Sequence, residues 1–235
     1  MGFFQDFLKM FKKREIALLE SRKEAEDVYT FLFKKDGDLT WVAGQHGLFR
    51  ITHKKIKNAL KPFSVASSPS ENVIRVTMGV GKEPSEFKKA MLELKPGMTL
   101  NLIGPVGGFK LDSDSPAVLI AGGIGITPFR SILKGVEAEG KSGKQPIHLL
   151  YLESNRPHLY KDEWNAIAVR PDISISYLDS REALNEEIDK LTAQYRNKAN
   201  YMIAGPKSMV GSIASYIQQK QIAKGRIKKD AFFGY

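Results

Sequence analysis

The sequence predicts an α+β protein of two domains, an antiparallel β-barrel followed by a doubly wound parallel α/β domain. Three observations predict it. Up to about Asp112, short segments of alternating polarity are separated by Gly and Asp turns, as half-buried antiparallel strands are. Beyond that point the pattern becomes apolar strand, helix, apolar strand, as βαβ units with a parallel sheet read. Between them, Asp112-Ser113-Asp114-Ser115-Pro116 marks the division. The expected boundaries are residues 1–14 for an N-terminal amphipathic helix, 15–112 for the barrel and 113–235 for the α/β domain.

In chain order, Phe3, Phe7, Met10 and Phe11 fall at helical spacing with Phe4 and Leu8 alongside, and Lys9, Lys12, Lys13 and Arg14 gather behind them. This suits a short interfacial anchor, and equally a helix packed on the barrel or on a partner. The charges follow the apolar part and no small-residue cleavage site appears, unlike a signal peptide. Asp6 stands where a myristoylation motif wants Ser or Thr. Strands are expected at Ile16–Glu20, Val28–Phe33, Gly47–Thr52, Phe63–Ala66 and Val73–Met78. A helix is expected from Ser85, its N-cap, to Leu94, stopped by Lys95-Pro96-Gly97. Then come a strand at Ala117–Ala121, a helix to about Ala138, and strands at Ile147–Leu152, Ile173–Leu178 and Tyr201–Ala204.

Composition narrows the chemistry. Hydrophobic residues make up 42% and charged residues 26%, as in a soluble globular protein. The absence of cysteine excludes disulfides, thiolate catalysis, Cys-ligated zinc and an iron–sulfur cluster carried by this chain. Histidines 46, 53, 148 and 158 show no metal-ligand spacing, so no metal site is expected. No run approaches the roughly 20 apolar residues of a membrane span. The expected location is the cytoplasm, with membrane or partner contact through residues 3–11 left open. A net charge of +10 calls for an acidic partner, phosphate-bearing ligands or an anionic surface. The basic residues are dispersed and no reader motif appears, which argues against nucleic acid.

Four motifs carry the functional reading. In the first, an apolar strand runs into Gly122-Gly123-Ile124-Gly125-Ile126-Thr127-Pro128. Glycines let a phosphate approach the backbone, Thr127 is placed to cap the next helix, and Pro128 suits its first turn. The free N–H groups and positive dipole end would then face a dinucleotide pyrophosphate. Taken alone the turn fits a plain βα connection as well. In the second, Lys61-Pro62-Phe63-Ser64-Val65-Ala66-Ser67 joins a cation, a ring and hydroxyls on one short strand. Alternation puts Lys61, Phe63 and Val65 on one face and Pro62, Ser64 and Ala66 on the other. The third is Gly104-Pro105-Val106-Gly107-Gly108-Phe109, and in the fourth Ala204-Gly205-Pro206-Lys207-Ser208-Met209 again ends a strand and begins a helix.

In this order and spacing the motifs resemble the ferredoxin–NADP reductase superfamily over about Glu15 to Tyr235. Its Arg-x-Tyr-Ser-x-x-Ser flavin signature is similar to Lys61–Ser67 with two substitutions, and its Gly-Pro-x-Gly-x-Phe element to Gly104–Phe109. Its pyrophosphate loop is matched by Gly122–Pro128, its Cys-Gly-Pro-x-x-Met nicotinamide loop by Ala204–Met209, and its aromatic C-terminus by Phe232-Phe233-Gly234-Tyr235.

The resemblance implies a stand-alone FAD enzyme that exchanges electrons between NADPH and a one-electron carrier, an acidic ferredoxin or flavodoxin. Hydride would pass from nicotinamide C4 to flavin N5. Phe63 would flank the isoalloxazine, Ser64 would bond near N5, and Tyr235 would cover the other ring face. Lys61, with Pro62 and Ser67 in the same signature and Ser85 at its helix start, would hold the flavin. Gly122, Gly123, Gly125, Thr127 and Pro128 would hold the pyrophosphate, and Gly205, Pro206 and Met209 the nicotinamide. Ser180-Arg181, assisted by Arg156, resembles the pair that grips a 2′-phosphate and favours NADP(H); Glu153 and Asp179 would suit the free ribose diol of NAD(H). Lys61 replaces a bidentate Arg by a point charge, and Phe63 loses a hydroxyl. Ala204 and Phe233 stand where plant-type members carry Cys and Glu. Two alternatives stay open: a flavin or ferric-chelate reductase using diffusible flavin, and a flavin-binding docking subunit of a larger complex.

Overall fold

The structure is a computed structural model that describes residues 12–140 and 145–232, and the chain divides into two units. The first holds residues 1–110 and 130–135; the second holds 111–129 and 136–235.

Six antiparallel strands build the first unit: β1 (Lys13–Ala25), β2 (Val28–Lys34), β3 (His46–Arg50), β4 (Leu60–Ser64), β5 (Val73–Gly79) and β6 (Thr99–Val106), in the order β4-β3-β6-β1-β2-β5. Alternation buries one face: Phe31 and Phe33 of β2 meet Ile16 and Leu18 of β1, Phe49 of β3, and Ile74 and Val76 of β5. The expected barrel is not closed. Edge strands β4 and β5 are not paired as a ladder; one backbone bond, Ala66 N to Arg75 O at 2.9 Å, joins the segment after β4 to β5. The helix α1 (Glu86–Leu92) starts at Ser85 as expected and sends Phe87, Ala90 and Met91 into this core.

Residues 3–11 of the anticipated N-terminal helix lie outside the described residues. Lys13 and Arg14 at its end are strand, because β1 begins at Lys13 and pairs with β6. Arg14 is buried and donates to Asp36 at 2.7 Å and to Asp38. Its guanidinium holds the Asp38 carboxyl well below the usual carboxylate range.

Past β4, Ser68 opens a single 3-10 turn over Pro69–Glu71, and Glu71 Oε2 accepts the Ser68 N–H at 2.7 Å. The same carboxylate receives both arms of Arg130, at 2.9 and 3.0 Å, and Arg130 also donates to Ala66 O at 2.8 Å. Arg130 is 2% exposed and the Glu71 side chain 17%, so this is a buried forked ion pair.

The second unit is a parallel sheet of β7 (Ala117–Gly122), β8 (Ile147–Leu152), β9 (Ile173–Leu178), β10 (Asn200–Pro206) and β11 (Ile227–Phe232), ordered β11-β10-β7-β8-β9. Its helices are α2 (Ile126–Ala138), whose residues 130–135 belong to the first unit, α3 (Lys161–Ile167), α4 (Arg181–Tyr195) and α5 (Lys207–Gln219). Central β7 is buried along its whole length, which is why it reads as an uninterrupted apolar run. From β7 the chain goes to β8 on one side and, after β9, crosses to β10 on the other. The carboxyl ends of β7 and β10 therefore flank the point where strand order reverses, the usual ligand crevice of open α/β sheets. Among the described residues no helix is long and apolar enough to cross a membrane.

Candidate functional site

Two clusters correspond to the sequence motifs, one in each unit. In the first unit, Phe63 of β4 stacks on Phe87 with ring centroids 5.6 Å apart and meets Phe49 edge-on at 6.0 Å. One side of its ring is thus committed to the core, and the residue stays partly exposed. The stack brings β4 beside the first turn of α1, where Ser85 Oγ accepts the Lys88 N–H at 3.4 Å. Lys61, half-buried, shares the strand face of Phe63. Burial pushes the Lys88 ammonium below the ordinary lysine range.

On the opposite face Pro62 is exposed, while Ser64 is 8% exposed and its buried Oγ has no hydrogen-bond partner among the described residues. A buried hydroxyl without a partner costs about 1–3 kcal/mol. Ser64 therefore fits a ligand acceptor or donor supplied at this strand, which is the observation in favour of a flavin edge there. Ser67 does something else. It is wholly buried, its hydroxyl donates to Val73 O at 2.6 Å and accepts the Arg75 N–H at 3.0 Å, and it braces β5. Beyond it, Gly107 packs its backbone against the His46 ring.

In the second unit the glycines of two turns interlock. A Cβ on Gly122 would fall 2.0 Å from Met209 Sδ, and one on Gly125 would fall 2.1 Å from Ala204 O. Gly205, at φ +150°, would press a Cβ to 3.0 Å from Gly122 O. Close packing of the β7 and β10 turns thus demands glycine at 125 and 205 before any phosphate is considered, while at 122 only the end of the Met209 side chain stands in the way. Gly123 is different: it needs glycine for its φ of +53°, and a Cβ would meet only Glu153, at 3.6 Å. Thr127 is not the helix cap that the sequence suggests. The helical run begins as a 3-10 turn at Gly123 and passes straight into α2, so Thr127 lies inside it, 2% exposed, donating to Ile124 O at 3.0 Å. Pro128 falls in the first turn of α2, as its missing N–H allows.

Next to this floor the loop after β8 is fixed by its own side chains. Glu153, 6% exposed, accepts the Asn155 N–H at 3.0 Å and holds Arg156 Nε at 2.8 Å. Arg156, expected to assist at a phosphate, is thereby committed to a buried carboxylate. Tyr151 accepts the Leu159 N–H at 3.2 Å, and burial pushes its phenol pKa up. His158 lies edge-on between Tyr151 and Tyr177, and its Nε2 faces the carbonyls of Tyr151 and Leu178 at 3.2 and 3.3 Å. Because both neighbours only accept, Nε2 carries the proton.

Ser180 caps α4 by accepting the Ala183 N–H at 3.3 Å. Arg181 is half-buried and oriented from two helices: its Nε donates to Asn185 Oδ1 at 3.3 Å and its Nη2 to Ser212 Oγ at 3.1 Å. Asn185 and Ser212 were not singled out in the sequence; the i,i+4 spacing of Arg181 and Asn185 is the one signal available there. Tyr235 lies outside the described residues.

Comparison with known proteins agrees with both halves of this picture. Residues 119–215 match the family model of the oxidoreductase NAD-binding domain. The chain is 33% identical over 49% of its length to ferredoxin–NADP reductase B of Sorangium cellulosum, and 26% identical over 88% of its length to the NAD(P)H-flavin reductase of Vibrio harveyi, covering 50% and 92% of those proteins. It spans about half the length of several curated relatives that it matches. The ferredoxin–NADP+ reductase of Plasmodium falciparum has the same fold, with a TM-score of 0.78 at 19% identity over 94% of this chain and 96% of that one. Residues 119–215 thus match an oxidoreductase NAD-binding domain, and the chain as a whole has the fold of ferredoxin–NADP+ reductases.

Proposed function

We propose that the chain is an FAD-dependent NAD(P)H oxidoreductase that passes electrons between NADPH and a one-electron carrier such as an acidic ferredoxin or flavodoxin. The observation that carries this reading is the pair of interlocked glycine turns at the carboxyl ends of β7 and β10, where the strand order reverses. Gly122, Gly123, Gly125 and the first turn of α2 offer backbone N–H groups to a pyrophosphate. Gly205, Pro206 and Met209 line the adjoining turn. Arg181, next to Ser180, supplies a guanidinium fork for a 2′-phosphate, which favours NADPH. In the first unit Ser64 offers its hydroxyl to the flavin ring and Lys61 a cation to the flavin phosphates. When bound, the flavin supplies the step between a hydride pair and single electrons; the side chains named here bind and orient.

The test is the visible spectrum of the purified protein under anaerobic conditions, followed by separate additions of NADPH and NADH. A bound flavin band that bleaches faster with NADPH is the expected result. A second reading is favoured by the near full-length match to the Vibrio harveyi flavin reductase, with Lys61 in place of a bidentate arginine: flavin would then be a diffusible substrate. A colourless protein that oxidises NADPH only with added flavin would establish that instead. Flavin that neither coenzyme bleaches would indicate a docking subunit.

Ser64→Ala gives a sharper check. It removes a hydroxyl that has no hydrogen-bond partner among the described residues, so stability without added flavin should hold or rise, while flavin affinity falls roughly fivefold for one lost hydrogen bond. Weakened stability with unchanged flavin binding would remove Ser64 from the site. A net charge of +10 suits an acidic carrier. Turnover with one should fall several-fold as the Debye length shrinks from about 10 Å at 0.1 M salt to about 3 Å at 1 M. A flat salt response would count against protein docking.

A further inference from the structure

We infer that Ser212 of α5 is a specificity-positioning residue, which holds the Arg181 fork in place for the 2′-phosphate of the coenzyme and ties it to the Met209 turn. The inference rests on the reading of Arg181 given above and adds the residues that aim it.

Arg181 sits at the first position of α4 and would otherwise be a long side chain with many rotamers. Two hydrogen bonds restrain it: Nε to Asn185 Oδ1, one turn along the same helix, and Nη2 to Ser212 Oγ across on α5. A guanidinium has five N–H donors and no acceptor, so Ser212 must accept from it. That fixes the hydroxyl proton, which goes to the Met209 carbonyl at 3.0 Å. The order of donation is therefore Arg181 to Ser212 to Met209, with every bond satisfied in one direction. Among the described residues three of the five N–H groups of Arg181 are left over, enough to grip a phosphate dianion through a fork.

The far end of this chain packs against the β7 turn. The Met209 side chain occupies the space that a Cβ on Gly122 would take, so the residue that accepts the Ser212 hydroxyl proton also packs on the β7 turn. The hydroxyl of Ser212 thereby relates the position of the guanidinium to the turn that Gly205, Pro206 and Met209 form. Ser212 lies on the exposed side of α5 and packs into no core, so its removal should not endanger folding.

The test is calorimetric binding of adenosine 2′,5′-bisphosphate and of 5′-AMP, which differ only in the 2′-phosphate, together with KM for NADPH and NADH. Wild type should prefer the bisphosphate. In Ser212→Ala this preference should fall roughly three- to tenfold, the net worth of one orienting hydrogen bond, while 5′-AMP affinity stays level. Ser212→Thr should retain the preference, because a threonine hydroxyl can make the same i−3 backbone bond. KM for NADPH should rise in Ser212→Ala while KM for NADH does not. If Arg181→Ala abolishes the preference and Ser212→Ala leaves it intact, the positioning role is overturned and the assignment of Arg181 stands. An equal loss in Ser212→Thr and Ser212→Ala would also overturn it. If wild type shows no preference, or Arg181→Ala does not change it, the assignment of Arg181 fails and the inference with it.

Discussion

Arg130→Ala is expected to lower the stability of the first unit by about 3 kcal/mol or more, the usual loss when one partner of a buried pair is removed. The change strips Glu71 of both guanidinium bonds and leaves the Ala66 carbonyl without its donor. Arg130→Lys keeps a charge but loses the planar fork, so it should fall between the variant and wild type. Replacing both partners, Arg130→Met with Glu71→Leu, should recover much of the loss, since well-packed apolar pairs often match buried ion pairs. Urea unfolding followed by circular dichroism checks all three. A cost under about 0.5 kcal/mol for Arg130→Ala, the level of an exposed pair, would mean that solvent reaches the site.

The second large effect separates two glycines of one turn. A Cβ at Gly125 would stand 2.1 Å from Ala204 O, 2.4 Å from Ala204 C and 2.7 Å from Gly205 Cα, all of them backbone. No side chain can swing away, so β10 must move. Gly125→Ala should cost at least the 1–3 kcal/mol typical of overpacking and abolish coenzyme turnover. A Cβ at Gly122 meets Met209 Sδ at 2.0 Å and Cε at 2.6 Å, the far end of a flexible side chain. Gly122→Ala should therefore fold, with Met209 displaced, and Gly122→Ala with Met209→Ala should be the milder of the two. Thermal unfolding of the three variants orders them; Gly122→Ala proving worse than Gly125→Ala would refute this account of the turn.

How much could be read from the chain depended on burial. Strands β7, β8, β9 and β10 are legible because parallel strands covered on both faces are apolar runs. Strand β6 escapes notice because Asn101, Gly104 and Pro105 interrupt its apolar residues, and its pairing with β1 and β3 is a tertiary fact. Strand β11 escapes because an edge strand can afford Lys228, Lys229 and Asp230. The site divides in the same way. Ser64 lies on β4 and the glycine turns end β7 and β10, positions that local backbone chemistry makes legible. Ser67 looks like another free hydroxyl until Val73 and Arg75 are folded against it. Arg156 looks like a free cation until Glu153 takes it. Arg130 and Ser212 belong to no motif, and their roles exist only through partners distant in sequence.

The interlocked turns have a further consequence for how a coenzyme would bind. A loop that must order itself around a ligand gives up part of the interaction energy as lost conformational freedom. Here Gly122, Gly125, Gly205 and Met209 already fill one another's space, and the neighbouring loop is fastened by Glu153, Tyr151 and His158. In the reading proposed above the floor of the crevice is preorganised, so recognition of a coenzyme there would fall to side chains at its rim, and coenzyme preference would change by substitutions that leave the fold untouched.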